Sequence, residues 1–466
     1  MSDLVSLGRA AAPAPRPPPP GPARKVFVHT FGCQMNESDS DRMVELLGRH
    51  DFARTDSPDD ADLILLNTCA IREKAEQKLL SALGRYRAVK ARRGAVIAVA
   101  GCVAQQEKDA LLQKVPYVDF VFGPDNLTRL PELLERAAHE RFAETSWLDS
   151  AEYLFPRADA GAARGRATAF VTAMKGCDNV CAFCIVPHTR GREVSRPWAE
   201  VVAEVADLAA VGVREVTLIG QNVNSYRGGC TFAALLRRVA AVPGVARVRF
   251  TTSHPHDLSD ELIGVFRDEP RVMGHFHLPV QAGSDAVLAR MRRDYTVAEY
   301  LSRHDALVAA RPGLAVTTDF IVGFPGETDE DFEGSLALLE RARFENSFSF
   351  LFSPRPHTVA ARRLDGAPEW REVPRQVAVA RLERLLAVQR RITAERLRQA
   401  EGQVVEILVE GPSDDPARRF GRTPENRVVH FDATEAEAPV GALLRARVVR
   451  AGASALAGEL VGSVGA

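Results

Sequence analysis

Short apolar segments alternate with helix-length amphipathic segments from residue 25 to about residue 136. Strands and helices at this spacing form crossover units, so the pattern predicts a parallel sheet covered by helices, in a domain that spans residues 25–140. The predicted strands are KVFVHT (25–30), DLILLN (62–67), AVIAVA (95–100) and VDFVFG (118–123). Residues 1–24 are rich in proline and have little to bury, which predicts a disordered tail.

The alternation resumes at residue 169, after an aperiodic segment (141–165) that we predict to be a linker. The predicted strands of this second region are AFVTAMKG (169–176), EVTLIG (215–220), RVRFTTS (247–253), HFHLPV (275–280), AVTTDFIVG (315–323) and SFSFLFS (347–353). Six strand–helix units predict an open, partial (β/α)6 barrel, similar to a TIM barrel but two units short of closure. A long arginine-rich helix at about 371–400 completes this domain, whose predicted bounds are 166–400.

Residues 401–466 predict a small all-β barrel, because strand-like segments follow one another there without helical segments between them. These segments are QVVEILVEG (403–411), RVVHF (427–431), ALLRARVVRA (442–451) and ALAGELVG (455–462). The fold class is therefore α/β, with an N-terminal parallel-sheet domain, a partial barrel and a C-terminal all-β barrel.

One segment of the C-terminal region, RRFGRTPENRVVHF (418–431), combines arginines with aromatic residues. Arginine for phosphates and aromatic faces for base stacking are typical of RNA contacts. The candidate substrate-binding residues here are Arg418, Arg419, Phe420, Arg422 and Arg427. The alternative is a solvated loop with salt bridges to Glu425.

Charge and hydropathy exclude several classes of protein. The 466 residues include 60 Lys plus Arg and 61 Asp plus Glu, a net charge of −1, so a globally basic nucleic-acid coat protein is excluded. The chain has no apolar run long enough to span a membrane. Its first 24 residues lack the apolar segment of a secretion signal. We therefore expect a cytoplasmic protein in a reducing compartment, whose cysteines are free thiols unless a metal binds them.

Three of the seven cysteines form a compact Cx3Cx2C motif directly after the first barrel strand: Cys177, Cys181 and Cys184. Three thiolates on one tight loop can bind three irons of a 4Fe-4S cluster and leave the fourth iron open. A structural zinc site needs a fourth ligand, for which His188 is the one local candidate. The spacing favours the open cluster over zinc or over cysteines that merely pack in a core.

Three further cysteines lie far apart in sequence but at equivalent places, since Cys33, Cys69 and Cys102 each lie in a turn after one of the first three predicted strands. The carboxyl ends of parallel strands lie along one edge of a sheet, so these cysteines can converge. A single buried cysteine is commonly a small core residue. Three in equivalent turns favour a second metal site, whereas Cys230 has no such partner and is interpreted as an ordinary thiol.

These motifs resemble the methylthiotransferase family of radical S-adenosylmethionine enzymes. The stretches that carry the resemblance run in the family's order over more than 300 residues: FGCQMNESDS (31–40), LNTCAIREKAEQK (66–78), KGCDNVCAFCIVPHTRGREVSRP (175–197), IGQNVNSY (219–226), TTSHPHD (251–257), HLPVQAGSD (277–285), DFIVGFPGETDEDF (319–332) and FSPRP (352–356). The similarity is closest to the branch that acts on isopentenylated adenosine 37 of tRNA. The sequence departs from the usual pattern at His188, commonly Tyr, and at His357, commonly Gly.

The resemblance implies an N-terminal methylthiotransferase domain, a radical S-adenosylmethionine domain and a C-terminal TRAM barrel. It implies two 4Fe-4S clusters: one on Cys177, Cys181 and Cys184 that coordinates S-adenosylmethionine, and one on Cys33, Cys69 and Cys102 that carries the sulfur. The implied reaction adds a methylthio group to carbon 2 of the adenosine. The implied partners are tRNA, a low-potential electron donor such as flavodoxin or ferredoxin, and a sulfur donor, and we expect a monomer.

Polar residues that follow the barrel strands are candidates for binding S-adenosylmethionine. They are Phe183, through its backbone, and the side chains of Gln221, Asn222, Ser253 and Gln281. Polar residues after strands also cap helices and satisfy turns, which is the alternative for each. Asp319 lies within the fifth barrel strand, where a buried acid needs a partner; it binds substrate or cofactor, or pairs with an internal arginine.

Two other functions remain open at this stage. A sister methylthiotransferase would carry the same clusters but act on threonylcarbamoyl-adenosine in tRNA or on an aspartate of a ribosomal protein. A non-catalytic iron–sulfur protein that binds RNA and senses redox state would produce no 5′-deoxyadenosine under anaerobic reduction.

Overall fold

A computed structural model describes residues 23–70, 73–148 and 155–463. Most of the predicted tail (1–22), part of the predicted linker (149–154) and the last three residues (464–466) lie outside the described residues. Within the described ranges no helix is both long and apolar enough to cross a membrane.

The N-terminal domain is a parallel sheet with the strand order β2-β1-β3-β4-β5-β6. Its strands are β1 (Arg24–Phe31), β2 (Phe52–Arg54), β3 (Leu63–Thr68), β4 (Val96–Gly101), β5 (Phe120–Phe122) and β6 (Phe142–Glu144), and its helices are α1 (Gln34–Gly48), α2 (Glu73–Arg93), α3 (Cys102–Glu107), α4 (Asp109–Lys114) and α5 (Leu130–Ala137). The predicted strands are all present. The sequence analysis missed β2 and β6, which have only three residues each. Because β6 pairs with β5, the sheet extends past residue 140 into the predicted linker.

The central domain contains the six predicted parallel strands in two three-stranded sheets, β7-β10-β11 and β12-β13-β14, connected by a parallel bridge between Val248 and Val272. Its strands are β7 (Thr168–Thr172), β8 (Met174–Lys175), β9 (Val194–Ser195), β10 (Glu215–Ile219), β11 (Arg247–Phe250), β12 (His275–His277), β13 (Ala315–Val322) and β14 (Asn346–Leu351). The helices are α6 (Val186–Thr189), α7 (Trp198–Ala210), α8 (Phe232–Ala240), α9 (Asp260–Asp268), α10 (Asp285–Arg290), α11 (Val297–Ala310), α12 (Asp329–Ala342), α13 (Val359–Arg363) and α14 (Arg375–Arg398).

Local sequence explains where several of these helices begin. A serine or threonine hydroxyl accepts a hydrogen bond from the backbone N–H three residues later at Thr231, Ser259, Ser284, Thr296, Thr328 and Thr358. At α11 and α12 the acid three residues on completes a capping box. Apolar residues of the strands and of the inner helix faces then pack into a large core, and a smaller apolar cluster buries the inner faces of α10 and α13.

The C-terminal domain is a closed five-stranded barrel with the strand order β15-β16-β17-β19-β18. The strands are β15 (Val404–Pro412), β16 (Arg418–Arg422), β17 (Val428–Asp432), β18 (Leu443–Ala451) and β19 (Leu456–Ser463). The sequence analysis assigned β16 to an RNA-binding segment and not to a strand, because RRFGR has almost no apolar residues. It pairs with β15 and β17, and its burial alternates along the strand.

Arginine side chains join the C-terminal barrel to the central domain. Arg249 donates to the backbone oxygens of Thr423 and Pro424 at 2.7 and 2.9 Å. Arg427 donates to the two carboxylate oxygens of Glu345 at 2.6 and 3.0 Å. Burial by itself would raise the pKa of Glu345, but hydrogen bonds and charge attraction from Arg427 and Arg396 hold the pKa below its ordinary value. The carboxylate is therefore ionised at neutral pH, and its ion pair with Arg427 stabilises the contact between the barrel and the central domain.

We expect Arg427→Ala to lower the free energy of unfolding by about 2–3 kcal/mol, because it removes two charge-assisted hydrogen bonds from a buried carboxylate. Equilibrium unfolding in urea, followed by circular dichroism, measures the loss. The matched control is Arg418→Ala, since Arg418 pairs at 3.1 Å with Asp432, whose side chain is 88% exposed. Such a surface pair contributes about 0–1 kcal/mol. Equal losses in the two variants would contradict the assignment of Arg427 to the domain interface.

Candidate active site

A cavity of about 840 Å³ lies at the carboxyl ends of the central barrel strands. Its floor includes Cys177, Cys181 and Cys184, and one wall comes from the N-terminal domain through Thr30, Phe31 and Gly32. Active sites of barrel enzymes form at this end of the strands, because the loops that follow them converge there.

The Cx3Cx2C motif forms the loop between β8 and α6. Gly176 precedes it with a φ of +72°, and a Cβ there would collide with the backbone oxygen of Arg192, so only glycine fits. Burial, with a smaller contribution from the neighbouring Cys181, raises the pKa of Cys184 to about 12 and that of Cys177 to about 11. These sulfurs are neutral thiols by themselves, and a bound metal would deprotonate them. The guanidinium of the buried Arg293 donates to the Cys181 Sγ at 3.4 Å.

The three cysteines of the N-terminal domain also come together, because β1, β3 and β4 are adjacent in the sheet. A hydrogen bond with Cys69 is the largest cause that lowers the pKa of Cys33, to about 6, and the charge of Arg190 adds to it. Arg190 donates from Nε to the Cys102 Sγ at 3.2 Å. Gly32 has a φ of +146°, and a Cβ there would collide with the Cys69 Cβ. The structure thus brings Cys33 within hydrogen-bonding reach of Cys69 and places Cys102 against the side chain of Arg190.

Both triads have the donor set that an iron–sulfur cluster needs. Among the described residues, no three His, Cys, Asp or Glu side chains converge on a point as the ligands of one ion would. A 4Fe-4S cluster instead requires separated thiolates, because each cysteine binds a different iron. His188 does not line the main cavity; it lies in a second cavity of about 640 Å³, with its ring centroid 5.8 Å from that of His357. The Cx3Cx2C cysteines and His188 therefore line different cavities, which does not favour His188 as a fourth ligand of a zinc ion on that loop.

The polar residues predicted to bind S-adenosylmethionine all line the cavity: Phe183, Gln221, Asn222, Ser253 and Gln281. Some of their polar atoms have structural partners. The Gln221 Oε1 accepts a hydrogen bond from the Gly176 backbone N–H, and the Ser253 hydroxyl donates to the His277 backbone oxygen. The amide of Asn222 donates to Asp257 at 2.8 Å, but its buried Oδ1 has no hydrogen-bond partner among the described residues.

Asp319 also lines the cavity, and its partner is a histidine where the sequence analysis considered an arginine. The Asp319 Oδ2 lies 3.5 Å from the His277 Nε2. The carboxylate retains access to the cavity, because 26% of its side chain is exposed.

The sequence analysis missed two arginines that contact cysteine thiols, Arg190 and Arg293. Both are nearly fully buried. Arginine is usually exposed, so composition and spacing gave no indication of their position. The one available signal was that Arg190 follows the Cx3Cx2C motif within the stretch KGCDNVCAFCIVPHTRGREVSRP (175–197), which carries the family resemblance.

The arginines predicted to contact RNA lie on the C-terminal barrel and outside the lining of the main cavity as the described residues define it. Each has an acidic partner other than Glu425: Arg418 with Asp432, Arg419 with Glu435, Arg422 with Glu410, and Arg427 with Glu345. Phe420 packs beside His430, with ring centroids 6.2 Å apart. Arg419 and Arg427 are mostly buried, whereas Arg418 and Arg422 keep about a third of their side chains exposed.

Three family models match the chain in succession. They are an uncharacterized protein family, UPF0004, over residues 25–123, the radical SAM superfamily over 171–339, and the TRAM domain over 398–461. The three models therefore follow the three structural domains in order.

Relatives match over nearly the whole chain. A tRNA-2-methylthio-N(6)-dimethylallyladenosine synthase from Anaeromyxobacter dehalogenans (strain 2CP-C) is 78% identical over 99% of this chain and 100% of its own length. Proteins of the same name are 62% identical in Myxococcus xanthus (strain DK1622), over 94% of both chains, and 47% identical in Geobacter sulfurreducens, over 94% of this chain and 97% of the relative.

Solved structures share the fold at low sequence identity. The radical S-adenosylmethionine methyltransferase TsrM from Kitasatospora setae has a TM-score of 0.56 and 15% identity, over 74% of this chain and 76% of that one. The cobalamin-dependent S-adenosylmethionine radical enzyme OxsB has a TM-score of 0.50 and 12% identity, over 79% of this chain and 56% of that one.

Proposed function

This chain belongs to the family of tRNA-2-methylthio-N(6)-dimethylallyladenosine synthases, the MiaB branch of the radical S-adenosylmethionine methylthiotransferases, and on that premise we propose its reaction and its site. The reaction replaces the hydrogen on carbon 2 of isopentenyladenosine 37 in tRNA with a methylthio group. The observation that carries the proposal is that one cavity brings the radical-domain cysteines, the polar residues after the barrel strands and the turn before Cys33 to a common space.

The proposed ligands are two sets of three cysteines. Cys177, Cys181 and Cys184 would hold a 4Fe-4S cluster together with S-adenosylmethionine, and Cys33, Cys69 and Cys102 would hold a second 4Fe-4S cluster. When bound, these groups supply the one-electron and sulfur-transfer chemistry that an unactivated aromatic C–H bond requires and that protein side chains lack. The protein contributes position, charge and exclusion of water.

The residues around the cavity are suited to hold a nucleoside. The unpartnered Asn222 Oδ1 would accept a hydrogen bond from S-adenosylmethionine, and Gln281, Ser253 and the backbone of Phe183 line the same side. Asp319, held by His277, would accept a hydrogen bond from cofactor or substrate. Strands β13 and β14 and helix α14 add an apolar wall, which includes Ile321, Phe350 and Leu382 and suits an isopentenyl group.

The proposed footprint of tRNA extends from the cavity rim to the C-terminal barrel. Lys78 and Arg375 are exposed at the rim and would contact phosphates. On the barrel, Arg418, Arg422 and Phe420 keep enough exposed surface to add contacts, whereas Arg419 and Arg427 are mostly buried and would stabilise the barrel through their ion pairs.

We further propose a low-potential electron donor, such as flavodoxin or ferredoxin, a separate sulfur donor, a monomeric state, and a cytoplasmic location where tRNA is modified.

The experiment that tests the function is mass spectrometry of tRNA nucleosides from cells that lack this gene, with and without its return. We expect isopentenyladenosine to accumulate in the deletion and its methylthio form to return with the gene. A Cys102→Ala copy should fail to restore it, whereas a Cys230→Ala copy should restore it.

The same experiment separates the alternatives. Unchanged isopentenyladenosine with altered threonylcarbamoyl-adenosine, or with an unmodified ribosomal protein, would assign the chain to a sister methylthiotransferase. If the purified, anaerobically reduced protein also produced no 5′-deoxyadenosine, the non-catalytic iron–sulfur sensor would replace the enzyme.

A further inference from the structure

We infer that Arg190, a residue of the radical domain, is a positioning residue for the iron–sulfur cluster of the N-terminal domain. This inference rests on the proposed second cluster. It assigns to one buried guanidinium two tasks: to hydrogen-bond a cluster sulfur and to fix the distance between the two cysteine triads.

The position of Arg190 connects the two triads through a very short stretch of chain. It follows α6, where its N–H donates to the Val186 oxygen at 2.8 Å, and it lies only six residues after Cys184. The residue directly after Cys184, Ile185, is buried in the apolar core of the N-terminal domain. Between Cys184 and Arg190, the radical-domain chain therefore packs against the N-terminal domain through Ile185.

The side chain of Arg190 reaches both sides of the second triad. Its Nε donates to the Cys102 Sγ at 3.2 Å, and its Nη2 lies 2.7 Å from the Asp39 Oδ2. Asp39 is on α1, the helix that begins directly after Cys33. The arginine thus bridges Cys102, the first residue of α3, and the helix α1 that follows Cys33, and only 5% of its side chain is exposed.

A guanidinium in this place has a definite effect on a cluster. Hydrogen bonds to cluster sulfurs and nearby positive charge raise the reduction potential of an iron–sulfur cluster. Partners of metal ligands also orient those ligands, and their loss typically weakens metal affinity or activity on the order of 10- to 100-fold. A lysine could keep the charge but not the planar, multiple hydrogen bonding of arginine.

The test compares Arg190→Gln and Arg190→Lys in the full chain, reconstituted anaerobically. We expect Arg190→Gln to lower the midpoint potential of the N-terminal cluster and to speed the removal of its iron by a chelator on the order of 10- to 100-fold. Arg190→Lys should restore the potential in part, because it restores the charge. To isolate the N-terminal cluster, both changes are also measured in a chain with Cys177, Cys181 and Cys184 replaced by alanine, with folding checked by circular dichroism.

The matched control is Arg42→Gln, which breaks another buried ion pair between the two domains. Arg42 lies on α1 and pairs at 3.1 Å with Glu204 of α7, and the structure gives it no contact with a cysteine. If Arg42→Gln shifts the potential and the iron loss as much as Arg190→Gln does, Arg190 merely holds the domains together and the inference falls. It also falls if Arg190→Gln leaves both quantities unchanged in a chain that carries two clusters. A chain that binds only about four irons would instead overturn the proposed second cluster itself.

Discussion

A chain with Cys177, Cys181 and Cys184 replaced by alanine is expected to form no 5′-deoxyadenosine from S-adenosylmethionine under anaerobic reduction with dithionite. The three thiolates of this loop supply the protein ligands of the cluster that leaves one iron open for the cofactor. Their loss removes the cluster, and iron should fall from about eight to about four atoms per chain. Chromatographic quantification of 5′-deoxyadenosine, with colorimetric iron analysis, measures both results.

The control for this first experiment is Cys230→Ala, which removes a thiol from the same domain but outside both triads. Cys230 packs at the edge of the central core, beside Arg238. Its replacement should leave iron content and cofactor cleavage unchanged. Continued formation of 5′-deoxyadenosine by the triple variant would show that the Cx3Cx2C loop does not hold the cluster that binds the cofactor.

A chain with Cys33, Cys69 and Cys102 replaced by alanine is expected to keep the cleavage of S-adenosylmethionine and to lose the methylthiolation of tRNA. It should still cleave S-adenosylmethionine, because the other triad and the polar residues of the barrel cavity are untouched. It should form no methylthiolated nucleoside, because the proposed sulfur-carrying cluster is lost. A single anaerobic reaction with isopentenylated tRNA, analysed for 5′-deoxyadenosine and for the modified nucleoside, measures both products.

If this variant forms the methylthiolated nucleoside as fast as the unsubstituted protein does, the three cysteines are only small core residues and not cluster ligands. The comparison needs a folded variant, which circular dichroism checks, because Cys69 and Cys102 are both buried and Cys102 accepts a hydrogen bond from Arg190. Iron analysis of this variant should again give about four atoms per chain. Retention of about eight would show that other ligands hold the second cluster.

The sequence predicted most of the fold because its signals are local. Short apolar segments between helix-length segments predicted the longer strands of the N-terminal sheet, and the same alternation predicted the strands of the barrel. The sequence did not predict the short strands Phe52–Arg54 and Phe142–Glu144, since three residues are too few to show a periodic pattern. It did not predict Arg418–Arg422 for a different reason: this strand is stabilised by neighbouring strands on both sides and not by its own apolar content.

The residues of the candidate site likewise fall into those that the sequence predicts and those that only the structure shows. The cavity-lining positions of Gln221, Asn222, Ser253 and Gln281 could be predicted, because equivalent positions after parallel strands are visible in the sequence, and the roles of both cysteine triads as ligands stay predictions. The partners of Asp319 and Arg427 could not be predicted. Each pairs with a residue far away in the sequence: Asp319 with His277 on the neighbouring strand of the sheet, and Arg427 with Glu345 of another domain.

The sequence alone therefore determined the order of the domains and the class of chemistry, and it predicts the cluster cysteines, since these depend on residue type and on spacing along the chain. Only the tertiary structure decided which charged side chains serve the site. Arg190 and Arg192 are two residues apart, yet the first is buried against Cys102, 88 positions away, while the second has 83% of its side chain exposed. The physical reason is that a buried cation needs partners to offset its lost hydration, and those partners come from the packing of one domain on another.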